Sequence, residues 1–352
     1  MEAKDKFVEN DTTSGESLAN WGIIGQISIV KQLSLALESD RLSHAYLFSG
    51  PRHVGKNTLA RTLAASVNCQ GNHVPCRKCN SCQRIMATLH SDFQLLQVNE
   101  TAGQRGIGIQ SILDFQHRAY LKPFEGKYHV LVIDEAEFLT EEASNALLKL
   151  LEEPPPNVLI ILLVTKTSFL LSTVVSRCHV LEFQLVSPAE ITGFLSQEYG
   201  LPISEATILA NLSQGCIGWA IKAATDDNLL ESKKRRLGNV ASISGATLEQ
   251  KFKFAANLAD LMRTNRTEVR EELELWSAWW REVLLIQLGV PEITFNLTQI
   301  AGCEAPNSQF ATTDLIQILN AIKETEELLE ANVNPVLALE ELMLKIPVTS
   351  SA

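Results

Sequence analysis

Ala45–Ser49 (AYLFS) is a short apolar run that leads into glycine, and Leu59, Ala60, Leu63, Ala64 and Val67 then recur at helical spacing. The same change of period repeats downstream. His129–Ile133 (HVLVI) reads as a buried strand ending in two acids, and Ala143, Ala146, Leu147, Leu150 and Leu151 form the apolar stripe of the helix that follows. Pro154, Pro155 and Pro156 stop that helix, because proline has neither the N–H nor the room to continue it. Val158–Val164 is a third buried strand. From Trp21 to about Phe183, alternation of this kind predicts an α/β module: a parallel sheet covered by helices.

Beyond Phe183 the periodicity is helical. Ser187-Pro188-Ala189-Glu190 carries a helix start, with serine at the N-cap, proline at the first position and a glutamate placed to reach back. Ile191, Phe194, Leu195 and Tyr199 form the apolar face, and Gly200 is the expected stop. Leu237–Gly245 (LGNVASISG) is rich in small residues and reads as a linker. Leu273, Trp276, Trp280 and Leu284 share one helix face; Leu315, Ile318, Leu319 and Ile322 share another. Trp276, Trp279 and Trp280 are read as core, because aromatics at helical spacing usually are. The expected organisation is a disordered leader over 1–20, an α/β domain over 21–186 with a metal module at 69–82, a small helical domain over 187–240 and a helical domain over 241–352.

Composition narrows the field. The chain has 352 residues with 45% hydrophobic, which suits two or three folded domains. The longest purely aliphatic run is Val158–Val164, too short to cross a bilayer, and the polar start has no secretion signal, so a cytoplasmic protein is expected. A net charge of −11 argues against strong DNA binding by this chain alone. Lys233-Lys234-Arg235-Arg236 is read as a solvated helix end, with a phosphate contact as the alternative.

Two constellations carry chemistry. Gly50-Pro51-Arg52-His53-Val54-Gly55-Lys56 lies between a strand and a helix, the context of a phosphate-binding loop. Glycines at 50 and 55 let backbone N–H groups converge on phosphate oxygens, and Lys56 would meet the outer phosphates. The next residue should be Ser or Thr, whose hydroxyl ligates magnesium; here it is Asn57, with Thr58 one place late and turned elsewhere on the helix. The expectation is that ATP binding survives while magnesium placement and hydrolysis are impaired. Asp134 and Glu135 could hold the metal's water shell and polarise a water; the alternative for Asp134 is a helix N-cap. The second constellation is Cys69, Cys76, Cys79 and Cys82, spaced C-x6-C-x2-C-x2-C. Four thiolates fill the tetrahedral shell of zinc and leave no open position, which marks a structural site. An iron–sulfur cluster or unligated thiols are the alternatives, and His73 and His90 lie near enough to compete. Cys178, Cys216 and Cys303 are isolated thiols.

Together, several segments resemble the AAA+ clamp-loader subunits of bacterial DNA polymerase III. They are Ile23-Ile24-Gly25-Gln26, His44–Pro51, the cysteine cluster, Ile133-Asp134-Glu135-Ala136, Asn145–Pro155 and Ser176-Arg177-Cys178, within roughly residues 21–225. The resemblance implies an AAA+ module with a zinc insertion, a helical lid and an all-α collar, in a hetero-pentamer of motor and delta subunits that places a sliding clamp on primed DNA. It implies that Arg177 is an arginine finger for a neighbour's ATP and that Thr165 lies in the sensor-1 region. Asn57, and a lid segment Gly215–Ala220 without arginine, resemble the delta-prime type, a poor or absent ATPase; polymerisation would belong to the holoenzyme. The alternatives are an ATP-hydrolysing motor subunit of gamma/tau type and an unrelated zinc-binding scaffold.

Overall fold

Runs of valine, isoleucine and leucine bounded by glycine, proline or acids form the strands that order the first half of the chain. The computed structural model describes residues 21–71, 74–101, 104–291, 294–301, 310–331 and 333–347. The expected leader, His73 and Cys303 lie outside them. The chain divides into two compact units: Met1–Ile191 with Gly215–Trp219, and Thr192–Gln214 with Ala220–Ala352.

In the first unit the order is α1 (Ile27–Glu38), β1 (Ala45–Ser49), α2 (Lys56–Val67), α3 (Asn80–Met86), β2 (Phe93–Leu96), β3 (Asn99–Thr101), β4 (Gln104–Gly106), α4 (Ile109–Ala119), β5 (His129–Ile133), α5 (Glu141–Glu152), β6 (Val158–Val164), α6 (Ser172–Val175) and β7 (His179–Glu182). Five strands pair in parallel in the order β2-β5-β6-β1-β7, while β3 and β4 form a separate antiparallel pair. The three inner strands are buried throughout. Their alternate residues face opposite layers, as the two-residue period of a strand requires. Phe48, Val132 and Ile161 meet Leu59 and Leu63 of α2 on one side; Leu47, Leu131 and Ile160 meet Phe115 of α4 and Leu147 of α5 on the other. This order brings the C-terminal end of β1, with its glycine loop, beside that of β6, and β5 lies next to β6. Strands β2 and β7 have no counterpart in the sequence reading: both are edges and only partly buried, so neither shows a continuous apolar run.

Helices α7 (Pro188–Tyr199), α8 (Ile203–Ser213), α9 (Ile217–Ala223), α10 (Asp227–Ser242), α11 (Leu248–Thr264), α12 (Arg266–Gln287), α13 (Leu297–Ile300), α14 (Thr312–Glu330) and α15 (Pro335–Lys345) follow. Ser187 and Glu190 make the expected reciprocal cap at the start of α7, and Gly200 follows its end with φ +66°. In the second unit every described regular element is helical. Trp276, Trp279 and Trp280 of α12 are buried, and Glu272, one turn before Trp276, accepts from its indole N–H at 3.1 Å. Glu282, also buried, accepts from the Phe295 and Thr298 N–H groups at 3.1 and 2.9 Å and so holds the start of α13.

The reading of Leu237–Gly245 as a linker is corrected: α10 runs unbroken to Ser242 and a single tight turn, Ile243–Gly245, follows. Leu237 and Val240 bury the face that small neighbours left inconspicuous, so packing overrides their weak propensity. The basic run lies inside the same helix rather than at its end, and Arg236 is paired with Glu272. Gly238 tests the assignment, since a Cβ there would meet nothing within 4 Å. Gly238→Ala is expected to stabilise the chain by about 0.5–1 kcal/mol and Gly238→Pro to destabilise it by about 3 kcal/mol, read by urea denaturation.

Candidate functional site

Gly50 and Gly55 adopt positive φ of 151° and 111° at the two ends of the loop between β1 and α2. A Cβ on Gly50 would lie 2.9 Å from that of Phe183, so only glycine fits this approach. Gly55 starts α2 without a side-chain cap, leaving the first-turn N–H groups directed at the loop, an arrangement suited to an anion. Lys56 is nearly buried, and its ammonium donates to the carbonyls of Gly50 and Pro51, the latter at 2.7 Å. Burial lowers its pKa to about 8, against the opposing pull of Glu137 and Asp134.

Asn57 points at Asp134, with Nδ2 donating to Oδ2 at 2.7 Å. Its oxygen accepts from Arg61 Nε at 2.8 Å, and Arg61 Nη1 donates to the Met86 carbonyl at the end of α3, also at 2.8 Å. Asp134 is not a helix N-cap, as the alternative reading of it had it: its Oδ1 accepts from the Glu135 N–H at 3.1 Å, and Thr140 is the residue that caps α5. Glu135 sits in the left-handed region at φ 53° and pairs with Arg52. Thr165, at the end of β6, donates to Glu137 at 3.0 Å. Thr58 lies exposed on α2. The structure thus gathers Gly50, Gly55, Lys56, Asn57, Asp134, Glu135 and Thr165 about one loop and leaves Thr58 outside.

Arg52, Arg61 and Glu137 are the partners that sequence reasoning missed. Only Arg61 had a local signal, four residues after Asn57 on the same helix face.

Arg177 follows α6 and is 35% exposed. It donates to the Thr173 carbonyl and pairs with Glu152 of α5, each at 2.8 Å. An exposed pair of this kind is worth about 0–1 kcal/mol, too little to hold the guanidinium against a stronger anion.

The four cysteines come together as their spacing predicts, with all sulfurs within 4.8 Å of one another. Cys76 and Cys82 are 3.9 Å apart, close to the roughly 3.8 Å that four sulfurs at about 2.3 Å from a central tetrahedral ion would show. Backbone N–H groups of Gly71 and Cys76 reach the Cys69 sulfur, that of Cys79 reaches Cys76 and that of Cys82 reaches Cys79, at 3.3–3.4 Å. Such donors favour thiolates and lower the Cys76 pKa to about 6, whereas burial raises those of Cys69 and Cys82. The residues therefore fit a metal ion. His90 is not among them: it lies against Ser81 at 3.1 Å and the Asp92 N–H. Cys178 stands apart, its thiol pushed up to about 12 by burial.

Comparison with known proteins points one way. The family model described as "DNA polymerase III, delta subunit" matches residues 25–187. The gamma/tau subunit of DNA polymerase III from Mycobacterium tuberculosis is 35% identical over 189 residues, covering 52% of this chain and 32% of that protein. The delta-prime subunit from Bacillus subtilis is 29% identical over 326 residues, covering 91% and 96%. The gamma subunit from Buchnera aphidicola is 31% identical over 278 residues, covering 76% and 74%. The chain spans about a third of the length of the mycobacterial relatives it matches.

The sulfur cluster makes its own prediction. The purified chain should carry about one tightly held metal ion, and Cys79→Ser should lose it and melt at a lower temperature. Metal analysis by mass spectrometry beside a thermal melt checks both.

Proposed function

Because this chain belongs to the AAA+ clamp-loader family of DNA polymerase III, we propose that it is a delta-prime-type subunit: a stator that assembles with motor and delta subunits, helps them place the sliding clamp on primed DNA, and turns over little or no ATP itself. Family membership removes the reading as an unrelated scaffold. The observation that carries the subtype is Asn57, which stands where a magnesium-binding hydroxyl belongs and is hydrogen-bonded to Asp134, the acid that would share the ion. Coverage supports it as well, since the Bacillus subtilis delta-prime subunit matches along 91% of this chain. The gamma and gamma/tau relatives favour the second reading, an active motor, and turnover separates the two.

In this role Arg177 acts in trans. Its guanidinium is permanently charged and forked, suited to charge developing on the γ-phosphate of ATP held by a neighbouring subunit. The weak pair with Glu152 parks the side chain until that phosphate is presented. The metal at the four cysteines is zinc in a structural role, because four sulfurs leave no position for substrate. It would be held by Cys69, Cys76, Cys79 and Cys82 and would fix α3 against α2, where the Cys82 sulfur lies 3.8 Å from the Ala65 carbonyl.

Reconstitution with motor and delta subunits tests the assignment. Arg177→Ala should leave assembly intact and slow the one site it serves by roughly 10³-fold, so that total ATPase falls by that site's share. Unchanged ATPase in the assembled complex would remove the finger from Arg177.

A further inference from the structure

The two hydrogen bonds of Asn57 settle which way its amide points. Arg61 Nε can only donate, so the amide oxygen faces Arg61 and the NH2 faces Asp134. Its one possible metal ligand is therefore turned toward a cation. On the other side both oxygens of Asp134 are engaged, Oδ2 by Asn57 and Oδ1 by the Glu135 N–H. An N–H has no lone pair for a cation, and a contact of 2.7 Å leaves no room for an ion that keeps ligands at about 2.0–2.1 Å. Of the other acids around the loop, Glu135 pairs with Arg52, and Glu137 accepts from Thr165 through Oε1 while its buried Oε2 has no hydrogen-bond partner among the described residues.

The anion cradle is intact by contrast. Gly55 opens α2 with uncapped N–H groups, and Lys56 uses two of its three N–H donors on the carbonyls of Gly50 and Pro51, leaving one for a ligand. A polyphosphate can thus be met by backbone N–H groups and an ammonium on one side, while the side that would hold its counter-ion is filled by an amide. We infer that this loop takes a nucleoside polyphosphate free of magnesium, with Asn57 as the residue that keeps the ion out.

The inference rests on the reading of residues 50–56 as a nucleotide cradle, and the test separates the two. Isothermal titration of the full-length chain with ATP is run in EDTA and again in magnesium, for wild type, Asn57→Thr and Lys56→Met, with a thermal melt as the folding control. Wild type should bind at least about tenfold more weakly in magnesium than in EDTA, because the ion sequesters the form the loop takes, and Asn57→Thr should bind at least about tenfold more tightly with magnesium than without; wild-type binding equally tight in both buffers would mean that the ion is tolerated and would overturn the inference. Lys56→Met should bind in neither buffer. Wild-type binding that appears only with magnesium would overturn the inference and leave the cradle standing. Absence of wild-type binding in both buffers would overturn the cradle reading, and the inference with it. The wild-type comparison needs no variant to fold.

Discussion

An amide from Asn57 on an acid from Asp134 is a small interaction, yet the rest of the site is arranged around it. The bond joins the first turn of α2 to the end of β5, two elements 77 residues apart in sequence. In a hydrolysing site that gap is spanned by a hydrated ion, which is replaceable and moves with each turnover. Here a charge-assisted hydrogen bond spans it. Arg61 extends the connection from Asn57 to the Met86 carbonyl, at the end of the helix that carries Cys82. One continuous chain of contacts therefore runs from the acid at the C-terminal end of β5 to the helix that carries Cys82.

That continuity ties the cysteine module to the loop. A knuckle of four sulfurs has little core of its own, and an ion at its centre substitutes for packing. Cys82 and Ile85 are fully buried against the layer that contains α2, so a fixed module also fixes the outer face of the helix bearing Lys56 and Asn57. Arg177, by contrast, is held at the surface by an exposed pair with Glu152 and a hydrogen bond to the Thr173 carbonyl.

Much of the fold was legible because local rules suffice for it. Strands β1, β5 and β6 are fully buried and carry unbroken apolar runs, and the prolines after Glu153 mark where α5 must end. The cysteine cluster was legible for the same reason, its ligands lying within 14 residues of one another. Strands β2 and β7 escaped because an edge strand is defined by its neighbour, and Gln94 or Glu182 interrupts the apolar run. The segment Leu237–Gly245 was misread because Gly238, Asn239 and Ser242 are turn formers in isolation, and only the burial of Leu237 and Val240 decides for helix. At the candidate site the residue types were visible but not their directions. Asn57 stood out as a substitution; that its nitrogen meets Asp134 while its oxygen meets Arg61 depends on a crossover that no local window contains.

In the proposed stator role, the Asn57–Asp134 pairing takes the place of the metal and turnover is lost with it. Steady-state ATP hydrolysis by the purified chain alone, in magnesium and without partner subunits, addresses it most directly. The expected rate is indistinguishable from that of a Lys56→Met control. Sustained turnover abolished by Lys56→Met would mean that the Asn57–Asp134 bond opens to admit the ion, and the chain would then be a motor rather than a stator.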